Sequence, residues 1–91
     1  MSNIVATGTP VRMQNASGVL HLGPCNLIGV LVNSTSSGTI TLYDEVSATG
    51  TPVVNAITTT ASTFKDLPIS FAKGIYFSKG GTLDCTFFIA D

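Results

Sequence analysis

The sequence predicts an all-β fold, specifically a two-sheet antiparallel β-sandwich of jelly-roll or immunoglobulin-like type with seven or eight short strands. Three observations support this prediction. No window carries apolar residues at the helical spacing i, i+3, i+4, i+7. Val, Ile, Thr, Phe and Tyr, which strands favour, dominate the apolar runs. Groups of Gly, Pro, Asn and Ser separate these runs at short intervals, as turns do.

The predicted strands lie between these turn signals. Pro10 and Pro52 each open a strand, a position where the missing amide hydrogen is tolerated. Residues 34–38 are small and polar and end in a glycine, so they are predicted to form a hairpin loop. Residues 79–81 are predicted to join the last two strands in the same way. The eight strands are expected at residues 10–14, 18–22, 26–33, 39–44, 52–58, 62–66, 74–78 and 82–90.

Apolar and polar residues alternate along several of these strands, which assigns their side chains to faces. Tyr43, Tyr76 and Phe88 fall on outward faces, and Phe88 has no polar atom that would favour contact with water. The inward rows are predicted to contain Ile40, Leu42, Ile75, Phe77, Leu83, Cys85, Phe87 and Ile89.

Composition indicates one domain, residues 1–91, with a weakly charged surface. Charged residues make up 10% of the chain, the formal net charge is −1, and 22 residues are Ser or Thr. Nucleic-acid binding depends largely on clustered Lys and Arg, and the four cations here are scattered. The longest central apolar run, residues 27–32, is too short for a spanning helix, and the first residues do not resemble a signal peptide. We therefore expect no nucleic-acid or membrane partner.

The residues that carry enzyme chemistry are few and dispersed. His21 and Cys25 would need two further ligands to bind zinc, and adjacent acids such as Asp44 and Glu45 point to opposite faces of a strand. A calcium site there would lack the usual density of ligands. We therefore expect no enzyme activity, no metal, no cofactor and no small-molecule substrate. Cys25 and Cys85 are expected to be reduced, although a bridge between strands is geometrically possible.

The strand at 26–33 is apolar on both faces, so both faces need a cover. One face should meet the other sheet, and the second is predicted to meet a partner protein. The N-terminal segment 1–9, which contains Ile4 and Val5, is an alternative cover that needs no partner. The predicted partner interface contains Tyr43, Tyr76, Phe88, Ile28 and Val30.

Residues 18–90 resemble small structural proteins of tailed bacteriophages. The resemblance rests on a strand, a Ser/Gly hairpin, "TLYD", a Gly-containing turn, a Thr-rich strand, a Pro, then "F..GIYF" and a terminal "GGTLDCTFF". It implies a virion structural protein, specifically a β-sandwich decoration or cement protein on the capsid exterior, made in the host cytoplasm.

The partners expected from this resemblance are the major capsid protein, copies of the chain itself in a trimer or other ring, or both. The alternative is a tail or fibre component, including a carbohydrate- or receptor-binding module in which Tyr43 and Tyr76 would form a stacking platform. The resemblance brings no catalytic or ligand-binding residues with it.

Overall fold

The computed structural model describes residues 9–90, which form six β-strands and no helix. The predicted all-β class is therefore confirmed. The predicted N-terminal segment with Ile4 and Val5 lies outside the described residues, apart from Thr9, which begins the first strand. The strands are β1 (Thr9–Gln14), β2 (Gly18–Leu22), β3 (Cys25–Tyr43), β4 (Val54–Thr58), β5 (Thr63–Phe71) and β6 (Gly74–Ala90).

Two long strands, β3 and β6, form the centre of a single antiparallel sheet and pair with each other along most of their lengths. Each long strand carries two short neighbours on its other edge. β1 and β2 pair with different parts of β6, while β5 and β4 pair with different parts of β3. The first half-sheet therefore has the order β1-β6-β3-β5, and the second half-sheet has the order β2-β6-β3-β4.

The sheet is folded over so that its two halves face each other. Phe77 and Phe87 both lie on β6, ten residues apart, where an extended strand would separate them by about 33 Å. Their ring centroids are 4.9 Å apart. β6 must therefore bend sharply between them. The predicted sandwich of two sheets and seven or eight strands is not confirmed, because six strands share one hydrogen-bonded sheet.

The bend occurs where the sequence predicted hairpins. Residues 34–38 and 79–81 do not reverse the chain but lie inside β3 and β6. The β3–β6 register shifts between Ser36 and Thr39, and bulges of this kind bend a strand. Gly81 has a φ of 62°, and a Cβ atom there would collide with the carbonyl oxygen of Ser37. The close approach of the two strands at the bend thus requires glycine at this position.

Hydrogen bonds from the β4–β5 connection hold the bend. The Oγ1 atoms of Thr35 and Thr59 are 2.7 Å apart, and the backbone amide of Gly38 donates to Thr35 Oγ1 at 2.9 Å. Thr59 Oγ1 also donates to the carbonyl oxygen of Gly38 at 2.8 Å. These bonds connect the bend of β3 to the segment that links the two half-sheets along one side.

The core lies on one face of the sheet, between the two halves. All eight residues predicted to point inward are buried, so that prediction is confirmed. Cys25 and Cys85 are both buried. Burial raises the pKa of Cys85 to about 12, which keeps it an inert thiol. The core consists of Leu20, Cys25, Leu27, Val30, Val32, Ile40, Leu42, Val54, Phe71, Ile75, Phe77, Leu83, Cys85, Phe87 and Ile89.

Candidate functional site

The outer face of the first half-sheet carries an aromatic pair. Phe64 on β5 and Phe88 on β6 have ring centroids 6.0 Å apart and an interplanar angle of 60°, which is an edge-to-face contact. They belong to strands on either side of β3, and Phe88 lies opposite Gly29 of β3 in the register. Leu31 of β3 lies opposite Phe64. The apolar side chains therefore extend across three adjacent strands.

The absence of a side chain at Gly29 leaves room for the Phe64 ring on this face. A Cβ atom at Gly29 would collide with the ring of Phe64 and the carbonyl oxygen of Lys65. The ring therefore lies directly over β3 and covers part of the second face of this strand. Phe64 nevertheless remains 46% exposed and is one of five large hydrophobic residues that are exposed among residues 9–90. The apolar second face of β3 is thus only partly covered by the described chain.

Polar side chains border this aromatic pair on one side. Arg12 Nη2 lies 2.6 Å from Asp84 Oδ2, and Asn33 Nδ2 donates to Asp84 Oδ1 at 3.3 Å and to Thr86 Oγ1 at 3.2 Å. The hydrogen bond and charge of Asp84 raise the pKa of Arg12, and Arg12 lowers the pKa of Asp84. An apolar centre beside a hydrogen-bonded polar rim is the usual anatomy of a protein interface.

The predicted interface residues do not form one surface: Phe88 and Ile28, Val30, and the pair Tyr43 and Tyr76 lie in three different places. Phe88 is half-buried on the outer face, and Ile28 is half-buried where the register of β3 is irregular. Val30 is fully buried in the core, so the structure removes it from the candidate surface. Its side chain is on the inner face because the irregularity at Ile28 reverses the alternation along β3.

Tyr43 and Tyr76 form a second aromatic pair on the second half-sheet. They lie opposite each other on β3 and β6, with ring centroids 6.3 Å apart and an interplanar angle of 62°. Val19 of β2 continues this row beyond Tyr76 and is 41% exposed. The tyrosines are together as the sequence suggested, but their rings are inclined and do not form one flat platform.

Phe64 is the site residue that sequence reasoning missed. The predicted strand at 62–66 included it without assigning it to a face, because charged residues follow it and no apolar alternation is visible there. The available signal was Gly29 in the middle of an apolar strand, since glycine within a strand often marks the close approach of another group.

An open cavity of about 360 Å³ lies between β4 and β5. These two edge strands belong to different half-sheets, and neither pairs with the other. Apolar residues of β3 and β4 form its floor, and threonines form much of its rim. The lining residues are Val30, Val32, Ile40, Ile57, Thr58, Thr59, Thr60, Thr63, Phe64, Lys65 and Asp66.

Within residues 9–90, no three His, Cys, Asp or Glu side chains are grouped to hold a metal ion. The same residues contain no helix long and apolar enough to cross a membrane. Comparison with protein-family models, curated proteins and solved structures finds no match to this chain.

Proposed function

We propose that this chain is a non-enzymatic structural protein of a bacteriophage virion, most specifically a decoration or cement protein on the capsid exterior. In this proposal the folded-over sheet serves as a small β-sandwich module that binds the major capsid protein. The bound domain stabilises the closed shell because it bridges neighbouring subunits and adds binding free energy to the assembled state.

The outer face of the first half-sheet is the observation that carries this proposal. Phe64, Phe88 and Leu31 form an apolar centre beside the Arg12–Asp84 pair, and Phe64 is 46% exposed. Aromatic side chains at the centre of an interface often contribute most of its binding free energy. The face is therefore suited to contact another folded protein.

The edges of the first half-sheet favour binding through its face over addition of another strand. β1 contains Pro10, and β5 contains Lys65, Asp66 and Pro68. Proline and charged side chains on edge strands oppose pairing with a further strand. A partner of the first half-sheet would therefore contact its outer side chains.

The capsid partner can be tested with the isolated chain and purified particles. We expect the wild-type chain to bind mature capsids and not the unassembled capsid protein. Phe64→Ser should weaken capsid binding at least tenfold, because it removes an aromatic ring from the centre of the proposed contact. Co-sedimentation with capsids over a range of concentrations measures this change.

Val53→Ser is the matched control, because Val53 is also an exposed apolar residue, at 50%, and lies outside the first half-sheet. It should leave capsid binding unchanged. Equal binding of the wild type to capsids and to unassembled capsid protein would contradict the proposal. If Phe64→Ser and Val53→Ser weakened capsid binding equally, the outer face of the first half-sheet would not be the capsid-binding surface.

A second candidate is a tail or fibre component that binds a carbohydrate receptor. The contact between the half-buried Tyr43 and Tyr76 favours it, because aromatic rings at a protein surface can stack on sugar rings. The inclined rings would let only one tyrosine at a time lie flat against a sugar. In either location, the proposed partners include copies of the chain itself in a trimer or other ring.

A further inference from the structure

The outer face of the second half-sheet has aromatic side chains at its middle. Tyr43 of β3 lies opposite Tyr76 of β6, and Val19 of β2 lies opposite Tyr76 on its other side. The three residues therefore form one row across adjacent strands. Because β3 and β6 are the two central strands of this half-sheet, the tyrosines lie at the centre of the face.

Two further apolar side chains extend this row towards the end of the half-sheet. Leu22 of β2 lies opposite Gly74, two residues before Tyr76 on β6, and is therefore on the same outer face. Val46 Cγ1 is 3.3 Å from the position that a Cβ atom would take at Gly74. Val19, Leu22 and Val46 are three of the five large hydrophobic residues that are exposed among residues 9–90.

The middle of this face carries no charge. The outward positions of β3 and β6 in the second half-sheet are Thr39, Thr41, Tyr43, Tyr76, Ser78 and Gly80. The outer face of the first half-sheet differs, because it bears Arg12, Asp84 and, opposite Gly29, Asp66. Depletion of charged residues and enrichment of tyrosine are typical of the centre of a protein interface.

We infer that this face binds the same face of a second copy of the chain about a two-fold axis. In such a contact both copies use one patch, which must therefore complement itself. An uncharged face meets its own copy without opposing like charges. A two-fold axis that runs along the strands between β3 and β6 places Tyr43 of one copy against Tyr76 of the other. The formal net charge of −1 adds little repulsion between copies.

The dimensions of the molecule provide enough area for this contact. Its shortest extent, 17 Å, agrees with two sheet layers stacked about 10 Å apart, so the outer faces are the broad faces. The other two extents are 41 and 30 Å. A standard interface takes about 800 Å² from each partner, a patch about 28 Å square. A patch of that size fits on one broad face.

Pairing through this face deepens the proposed function, on which its biological role rests, because it names the surface through which copies of the chain meet. The sheet is folded over, so its two outer faces point in opposite directions. Phe64 and Phe88 of both copies therefore stay accessible in the pair, and the proposed capsid contact does not compete with pairing.

The test is sedimentation equilibrium of the full chain without capsids, over concentrations from about 1 μM to 1 mM. We expect the mass to rise from 9.4 kDa towards twice that value, with a dissociation constant in the micromolar range or tighter. Tyr43→Ser should weaken pairing at least tenfold, because both copies lose a ring at the centre of the contact.

Val19→Ser is a second variant, which changes an exposed residue and leaves the core intact. It should weaken pairing about fivefold, because apolar contact area is lost from both copies. Phe64→Ser is the matched control and should leave pairing unchanged, since Phe64 is an exposed apolar residue on the opposite outer face.

Pairing through this face is disproved if the chain stays monomeric at the highest concentration, or if it forms a trimer or larger ring, because an isologous contact closes at two copies. It is also disproved if Phe64→Ser weakens pairing and Tyr43→Ser does not. If the chain is monomeric and methyl glycosides shift the amide NMR signals of Tyr43 and Tyr76, the face binds sugars instead. Because no capsid is present, a chain that pairs as expected but does not bind capsids contradicts only the proposed function.

Discussion

At the scale of single residues, Asp44 fixes the junction between β5 and β6. Its carboxylate accepts hydrogen bonds from the backbone amides of Lys73 at 2.8 Å and Ala72 at 3.1 Å. The amide of Lys73 is the main cause that lowers the pKa of Asp44. Asp44 ends the "TLYD" segment, so this part of the sequence has a structural explanation that requires no ligand. Its role is to hold a turn.

We predict that Asp44→Asn destabilises the fold by about 1–2 kcal/mol at pH 7, because the charged acceptor is lost. The folded-state pKa of Asp44 is below its unfolded value. Its contribution is therefore fully present above the unfolded pKa, about 3.9, and is lost as pH falls through the folded pKa. Urea unfolding at pH 7 and at pH 2.5 measures this change.

Glu45→Gln is the control for this prediction. Glu45 pairs only with the exposed Lys73 side chain, so its substitution should cost at most about 0.5 kcal/mol. A stability difference between wild type and Asp44→Asn that persisted undiminished at pH 2.5 would show that the carboxylate charge is not responsible.

At the scale of elements, alternation in the sequence predicted faces more reliably than turn signals predicted strand ends. The inward row Leu83, Cys85, Phe87 and Ile89 is buried as expected, because burial on one face of a strand imposes a period of two. Gly80 and Gly81 look the same in sequence whether they reverse the chain or bend it. Whether these glycines form a hairpin or a bend depends on which strands pair with the segments on either side of them. Those strands are distant in sequence, and a single sequence does not reveal the pairing.

The prediction of the candidate site residues was only partly correct for the same reason, because strand pairing cannot be read from a single sequence. Phe88 was assigned correctly to the outer face by its alternation with buried neighbours. Val30 was assigned wrongly to the partner interface. The irregularity at Ile28 shifts the alternation of β3 by one residue, so Val30 points into the core. The pairing of Phe64 with Phe88 depends on β5 lying beside β3, a long-range contact that local patterns do not specify.

The bend itself gives a prediction at this scale. Gly81→Ala should destabilise the fold by at least about 2 kcal/mol, because it combines a positive φ with a collision against the backbone of Ser37. Gly50→Ala is the matched control. Gly50 also has a positive φ, 77°, but has no atom near the position of a Cβ, so its substitution should cost only about 1 kcal/mol. Thermal unfolding of both variants compares these costs.

Equal destabilisation by the two substitutions would mean that the approach of β3 to β6 at Ser37 is not tight. The cost at Gly81 would then come from its backbone dihedral angle alone.

At the scale of the whole molecule, the facing of the two half-sheets rests on the contact between Phe77 and Phe87. We predict that a double-mutant cycle with Phe77→Leu and Phe87→Leu gives a coupling free energy of about 0.5–1.5 kcal/mol. Phe64→Leu with Phe77→Leu is the control pair and should be additive, because Phe64 is on the outer face and Phe77 is in the core. Chemical unfolding of the single and double variants measures both couplings.

Additive effects of the Phe77 and Phe87 substitutions would contradict the folded-over arrangement. Coupling of similar size in both pairs would indicate a general change in the denatured state and no specific contact.

The continuity of β3 and β6 through both half-sheets has a mechanical consequence. In a sandwich of two separate sheets, a force that pulls the outer surfaces apart is resisted by dispersion contacts between the layers and by the connecting loops. Here the same two backbones run through both layers, so tension applied to one outer surface also passes along covalent bonds to the other. If the molecule is anchored through one outer surface and pulled through the other, the two continuous backbones therefore resist separation of the layers. This property is useful for any component of a container under internal pressure.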